Sequence, residues 1–267
     1  MLRIRAIFFV FVLISSNFVN GDPEVPCYFI FGDSLSDAGN NNALNTMAKA
    51  NYSPYGVDFP GRVPTGRFTN GRTIADFITQ FLGFEEFIQP YSAQIGQDAL
   101  RGVNYASGAS GILPETGSNL ALYDSGARKI AVFGLARIGC TPAEKARFNS
   151  TNCVDEINKA VELFNTKLVS VVDDFNSKLP EAKFTFINLF AMQSSTSFPF
   201  GFIMDSYCCK LRSDFMCEPL SPPCRSRLLH GYMDGFHPSE FVNQVAATIA
   251  YNDPFLFVHP MSIRQLI

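Results

Sequence analysis

The stretch from Tyr28 to Asn40 reads YFIFGDSLSDAGN, and it sets the interpretation of the whole chain. Its first four residues, 28–31, are aromatic or β-branched, which predicts a short buried strand. The strand leads directly into Gly32, Asp33 and Ser34, so the serine is expected where a strand turns toward a helix. A serine hydroxyl is a poor nucleophile at neutral pH, and it becomes reactive only with a base beside it.

A base and an orienting carboxylate occur together near the other end of the chain. Residues 234–240 read DGFHPSE, which places Asp234 and His237 three positions apart. His237 is expected to accept the proton of Ser34 while Asp234 fixes the tautomer of the imidazole. The alternative for Asp33 and Ser34 is a pair of helix N-cap residues, because Asp and Ser are common in that role. The combination of the two distant motifs favours catalysis.

Strands and helices alternate along the rest of the chain. The spacing of apolar residues predicts a helix over 73–82, with Asn70 or Thr73 as its cap, a strand at 103–106, a strand at 130–135, a long amphipathic helix over 154–179, a strand at 184–190 and a last helix over 239–251. Such alternation is typical of an α/β fold with a parallel sheet. No repeat or second domain boundary is visible, so residues 22–267 are expected to form one domain.

The first 21 residues have the layout of a secretory signal peptide. Arg3 and Arg5 precede an apolar run at 6–14, which is followed by polar residues at 15–17. The apolar run is too short to cross a hydrocarbon layer of roughly 30 Å, so no stable membrane anchor is expected. A secreted, extracellular protein is predicted, with candidate N-glycosylation sites at Asn51 and Asn149. The net charge of −3 argues against a nucleic-acid partner.

All seven cysteines lie beyond the signal peptide, as expected for a disulfide-bonded protein of an oxidising compartment. Cys140 and Cys153 are close enough in sequence to form a local bridge. The cluster from Cys208 to Cys224 is expected to cross-link the loop before His237. A zinc site is the alternative for that cluster, but its pairs lack C-x-x-C spacing and no metal is expected. The odd total leaves one thiol unpaired.

The motifs together resemble those of the plant GDSL esterase/lipase family, within the SGNH hydrolases. Besides FGDSLSDAGN and DGFHPSE, the resemblance includes GRFTNGRTIADFI at 66–78, GVNYASGASGI at 102–112 and ARKIAVFGLARIGCTP at 127–142. It therefore covers most of the chain after residue 21. The order of the motifs along the chain makes the resemblance specific.

The resemblance implies a flavodoxin-like, three-layer α/β fold with a parallel sheet. It also implies that Ser34 is the nucleophile, that Asp234 and His237 complete the triad, and that the N–H groups of Ser34 and Gly108 stabilise the oxyanion. The alternative for Gly108 is a glycine required by a tight turn. No organic cofactor is implied. The expected substrates are carboxylic esters, from lipids to acylated sugars, and the protein is expected to be a monomer.

One element of the family pattern is absent from the sequence. Family members carry a GxND motif, whose asparagine supplies a third oxyanion donor, between the strand at 103–106 and the strand at 130–135. Asn119 lies in this interval, but its context GSNL lacks the aspartate, and we do not assign it that role. A parallel crossover needs about a dozen residues or more, usually with a helix. We therefore expect that a central strand and its adjacent helices are missing near residues 118–124.

The absent block has consequences for activity and solubility. Loss of one oxyanion donor typically lowers the rate by about a hundredfold to a thousandfold, and loss of a strand exposes apolar sheet edges. We therefore expect weak or absent esterase activity and poor solubility. The alternatives are an inactive truncated isoform, which binds ligands or has no activity, and an acyltransferase that uses an acceptor alcohol instead of water.

Overall fold

A computed structural model of the chain describes residues 22–93, 97–111, 122–123, 125–194, 203–253 and 256–267. The expected signal peptide at 1–21 lies outside these residues. Asn119 and most of the interval 118–124, where the missing block is expected, also lie outside them. The described ranges cover most of the predicted domain at 22–267.

The described residues contain helices and strands in alternation. The helices are α1 Ile74–Phe81, α2 Pro142–Arg147, α3 Asp155–Lys178, α4 Leu189–Ser194, α5 Glu240–Asn252 and α6 Ile263–Leu266. The strands are β1 Lys129–Phe133, β2 Lys183–Ile187, β3 Ile203–Tyr207, β4 His230–Tyr232 and β5 Val258–His259. The predicted helices correspond to α1, α3 and α5, and two of the predicted strands correspond to β1 and β2.

The main sheet is built around β1 and β2, which pair in parallel with Lys129 opposite Lys183 and Phe133 opposite Ile187. Helix α3 makes the crossover between them, as a parallel pair requires. Strand β5 pairs antiparallel with the other edge of β2, and β3 and β4 form a separate parallel pair. The predicted α/β class with a parallel sheet is confirmed.

The backbone pairing of the segment before Ser34 is less extensive than predicted. Instead of full strands at 28–31 and 103–106, the structure has isolated parallel bridges that join Ile30 and Pro90 to Asn104. The Ile30 N–H donates to Val103 O at 3.0 Å, and the Tyr105 N–H donates to Ile30 O at 2.7 Å. The pairing of the 28–31 segment is limited to a short ladder with residues 101–107. It still aligns the serine loop with the 102–107 segment.

The 28–32 segment and β1 each present an open edge. Tyr28, Ile30 and Gly32 form the backbone bonds to residues 101–107, so the backbone groups of the alternate residues Phe29 and Phe31 point the other way. At the two ends of β1, Arg128 O accepts the Lys183 N–H and the Gly134 N–H donates to Ile187 O, so both bonds run to the β2 side. No backbone hydrogen bond joins the two fragments among residues 22–93 and 125–194. This is the arrangement expected if a strand between them is missing.

Helices cover only part of the sheet. One face packs against α1 and α5 in a core that includes Ile30, Ala106 and Ile187. The other face of β1 and β2 packs against α3 through Phe184 and Phe186. Beside it, four aromatic side chains of the serine side of the sheet remain 42–64% exposed: Phe29, Phe31, Tyr91 and Tyr105. We call these four residues the aromatic face.

Disulfides cross-link the loops as predicted. Cys140 bonds to Cys153, Cys208 bonds to Cys224, and Cys209 bonds to Cys217. Cys27 is the free thiol that the odd count requires. Within the described residues, none of the helices has both the length and the apolar content needed to span a membrane.

Candidate active site

The structure brings Ser34, His237 and Asp234 into one hydrogen-bonded chain. His237 Nε2 lies 2.9 Å from Ser34 Oγ, and His237 Nδ1 lies 2.9 and 2.8 Å from Asp234 Oδ1 and Oδ2. Asp234 is fully buried and His237 nearly so, whereas Ser34 is half-buried and can be reached from solvent. These distances fit a nucleophile, a general base and an orienting carboxylate.

The backbone of the loop between β4 and α5 holds Asp234 and His237 in place. Asp234 Oδ1 accepts the backbone N–H groups of Phe236 and His237, both at 2.8 Å. The Met233 N–H donates to His237 O at 2.8 Å, which closes the turn. The three-residue spacing of DGFH thus places carboxylate and imidazole in one tight turn. Ser239, rather than His237 or Pro238, is the N-cap of α5.

The environment keeps Asp234 ionised. Burial alone would raise the pKa of its carboxyl group, but His237, the Tyr55 hydroxyl and the Phe236 N–H together lower that pKa below its ordinary value. An ionised carboxylate accepts hydrogen bonds and donates none. It therefore fixes the proton of a neutral His237 on Nδ1 and leaves Nε2 free to accept the Ser34 proton.

Asp37 orders the nucleophile loop. Its Oδ1 accepts the N–H groups of Gly39 and Asn40, both at 2.7 Å, and its Oδ2 accepts the N–H of Gly108 at 2.9 Å. The side chain is fully buried, and burial raises the pKa of its carboxyl group although these N–H groups oppose the shift. Asp37 therefore ties the loop after Ser34 to the glycine-rich loop at 107–111.

The role of Gly108 as an oxyanion donor stays a prediction, and in this structure its N–H has another partner. Its N–H points to Asp37 Oδ2, and an N–H that donates to a buried carboxylate is not aimed at a substrate oxygen. A Cβ at this position would lie 2.7 Å from Asn41 Nδ2 and 2.8 Å from Phe68 Cζ. Close packing of the loop therefore requires glycine here, which is a structural role.

The Ser34 N–H remains available for an oxyanion. Within the described residues no acceptor takes it, in contrast to the Leu35 and Ser36 N–H groups, which are bound by Asp33. Its position on the nucleophile itself is where serine hydrolases place one oxyanion donor. The roles of Ser34 and Gly108 as oxyanion donors both stay predictions, and of the two N–H groups only that of Ser34 is without an acceptor among the described residues.

Two arginines and two histidines outside the triad have partners of their own. Arg67 forms a buried ion pair with Asp76, and Arg72 forms a partly exposed one with Glu240, so both are salt-bridged rather than free to bind substrate. His230 is partly buried and contacts Ser206, whereas His259 is exposed and contacts Asp173. The candidate glycosylation residues Asn51 and Asn149 are exposed.

The only potential metal-binding group in the described residues joins Cys208, Cys224 and His230, whose ligand atoms lie within 4.8 Å of one another. The two sulfur atoms are bonded to each other in a disulfide. Because a metal ligand has to be a free thiolate, this pair cannot serve as two zinc ligands. The arrangement agrees with the disulfide interpretation of the cluster.

Tyr55 is the residue that the sequence did not reveal. Its hydroxyl donates to Asp234 Oδ2 at 2.6 Å, and its side chain is 1% exposed. The surrounding text, NYSPYGV, has no periodicity and no motif that points to a carboxylate 179 residues away. Only the folded contact identifies it.

The known proteins that this chain resembles come from one family. The profile of the GDSL-like Lipase/Acylhydrolase family matches residues 28–124 and 113–249. One GDSL esterase/lipase of Arabidopsis thaliana is 35% identical over 347 positions, covering 96% of each chain. A second, from the same plant, is 36% identical over 343 positions, covering 94% of each chain.

The alignments are longer than the chain itself. The first extends over 347 positions and the chain has 267 residues, so at least 80 positions (347 minus 267) have no counterpart here. The family profile matches in two pieces, and the two matched ranges overlap at residues 113–124. With the profile covering most of the chain and relatives at 35% identity over nearly all of it, the chain belongs to the GDSL esterase/lipase family of carboxylic ester hydrolases.

Proposed function

We propose that the chain hydrolyses carboxylic esters through an acyl-enzyme on Ser34. The observation that carries this proposal is the continuous contact from Ser34 Oγ through the His237 ring to buried Asp234, at 2.9 and 2.8 Å. In this mechanism Ser34 Oγ attacks the ester carbonyl carbon as His237 Nε2 takes its proton. His237 then returns the proton to the leaving alcohol oxygen.

The second half of the reaction uses the same groups. His237 takes a proton from water, the resulting hydroxide attacks the acyl carbon, and Ser34 leaves with the proton that His237 returns. Asp234 stays ionised and stabilises the imidazolium that forms in each half. The oxyanion accepts a hydrogen bond from the Ser34 N–H. Because Gly108 donates to Asp37 and the GxND motif is absent, we expect a rate well below that of a complete homologue.

We further propose that the protein acts outside the cell. Three disulfides and exposed sequons at Asn51 and Asn149 support this location, together with the charge and apolar pattern of residues 1–21. The proposed substrates are small-molecule, lipid or acylated-sugar esters. No nucleic-acid partner is proposed.

The second candidate is an inactive, internally truncated product that binds ligands or has no activity. The 80 or more aligned positions without a counterpart support it, since the break falls at residues 113–124, between the 102–107 segment and β1. The open edges on either side of this position support the same conclusion. Acyl transfer to an alcohol is a variant of the first candidate, because it shares the acyl-enzyme.

The test is hydrolysis of short-chain and long-chain p-nitrophenyl esters by the intact protein and by Ser34→Ala. The proposed function predicts slow release of p-nitrophenol that depends on Ser34, and addition of a simple alcohol as acceptor distinguishes transfer from hydrolysis. Turnover equal in Ser34→Ala would contradict the proposal. No turnover in the folded wild-type protein supports the second candidate.

A further inference from the structure

A buried phenol supports the carboxylate of the triad. Tyr55 Oη lies 2.6 Å from Asp234 Oδ2, and the Cys217 N–H lies 3.0 Å from the same phenol oxygen. An amide N–H can only donate, so the phenol oxygen accepts there and its single proton is directed at Asp234. The direction of both bonds is therefore fixed by chemistry, without any choice of rotamer.

The phenol is protonated at neutral pH. Burial and the neighbouring Asp234 charge hold the pKa of Tyr55 well above its ordinary value. The bond to Asp234 is thus a hydrogen bond from a neutral donor to a charged acceptor, which is stronger than a bond between two neutral groups.

Asp234 Oδ2 is shared between Tyr55 and His237 Nδ1, whereas Oδ1 is held by the backbone of Phe236 and His237. Without the phenol, only the loop's own backbone and the His237 ring would restrain the carboxylate. More of its negative charge would then face the imidazole ring. We propose that Tyr55 is a positioning residue of the triad. It fixes the carboxylate of Asp234 and weakens the attraction between that carboxylate and the proton on His237 Nδ1. This inference rests on the proposed function.

A disulfide-bonded loop holds the phenol in place. Cys217, which donates to Tyr55, is bonded to Cys209, and both cysteines are buried. The Tyr55 ring also contacts Phe68, with centroids 6.4 Å apart, and Phe68 lies 5.0 Å from the His237 ring. Tyr55 therefore belongs to the packed wall behind the triad and does not reach the substrate.

The experiment compares Tyr55→Phe with the matched control Tyr251→Phe. Tyr251 is also buried and also donates to a carboxylate, Glu24 Oε2 at 2.5 Å, but it packs against Phe81 in the α1–α5 core. Both variants lose one phenol-to-carboxylate bond. A general loss of stability would appear in both, whereas a positioning effect appears only in Tyr55→Phe.

Two readouts are used. The first is the rate of labelling by a fluorophosphonate at a series of pH values. Tyr55→Phe is expected to lower that rate at pH 7 by about tenfold or more, as for loss of a hydrogen bond to a charged group, and to move the acid limb to higher pH. The second is the titration midpoint of the His237 ring resonance in NMR, assigned by its loss in His237→Gln. It is expected to move to higher pH because the carboxylate charge is less shared.

The NMR midpoint needs no catalysis, so it separates failure of this inference from failure of the proposed function. An unchanged midpoint in folded Tyr55→Phe, or an equal change in Tyr251→Phe, overturns the inference. If Tyr55→Phe does not fold, 3-fluorotyrosine at position 55 replaces it. This more acidic phenol draws more charge from Asp234, and it is expected to lower the midpoint; no change or a rise overturns the inference.

Discussion

At the scale of single residues, the proposed nucleophile is a serine that belongs to a chain of hydrogen bonds. Ser34 is hydrogen-bonded to His237, and the His237 ring is hydrogen-bonded to a carboxylate that three other hydrogen bonds hold in place. The sequence could predict these three residues because their motifs are local and ordered. It could not predict the contact of Tyr55 with Asp234 or that of Gly108 with Asp37, because hydrogen-bond partners across a fold leave no pattern in the sequence.

Asp234→Asn tests the carboxylate. The amide keeps the shape of the side chain but stabilises the wrong tautomer of His237 and cannot balance the imidazolium charge. The fluorophosphonate labelling rate at pH 7 is expected to fall roughly 10³- to 10⁴-fold, the size of this effect in serine proteases. Circular dichroism controls for folding. A loss below about tenfold in a folded variant would show that Asp234 does not take part.

At the scale of elements, helix α1 and the loop before it are held by a buried ion pair. Arg67 Nε and Nη2 each lie 2.7 Å from an Asp76 carboxylate oxygen, and Asp76 also accepts the Thr73 N–H at the helix start. The sequence predicted this helix and Thr73 as one of two possible caps. It missed β3, β4 and β5, because strands of two to five residues, formed by distant pairing, have no period of their own.

Arg67→Met is expected to lower the free energy of unfolding by about 3–5 kcal/mol, because it leaves the Asp76 charge buried without its partner. Arg72→Met is the control, since the Arg72–Glu240 pair is partly exposed, and about 1 kcal/mol is expected there. Urea unfolding measures both. Equal losses in the two variants would mean that the buried pair has no special role.

At the scale of the whole molecule, the described helices α1 and α5 pack on one face of the sheet, and α3 packs on the other face of β1 and β2. The aromatic face, Phe29, Phe31, Tyr91 and Tyr105, is exposed, and its rings stack in a row with centroids 5.2 and 5.4 Å apart between Phe31, Tyr105 and Tyr91. We propose that this exposure reflects a block missing near residues 113–124, where the two pieces of the family profile overlap, because that block is expected to supply the adjacent strand and helices.

We predict that this surface causes self-association, so the expected monomer is the dominant species only at low concentration. Sedimentation velocity at increasing concentration is expected to show larger species for the wild-type protein. The double variant Phe31→Ser, Tyr105→Ser is expected to shift them toward the monomer. Leu163→Ser, which removes an exposed apolar residue from α3, is the control. Concentration-independent monomers in the wild type, or an equal effect of the control, would refute the prediction.

The most direct measurement is mass spectrometry of the folded protein after reaction with a fluorophosphonate, which reports an activated serine even where turnover is slow. The account predicts a single adduct on the peptide that contains Ser34, and it predicts loss of that adduct in His237→Ala. A folded protein that forms no adduct, or that forms it on another serine, would contradict the assignment of Ser34, His237 and Asp234 as a working triad.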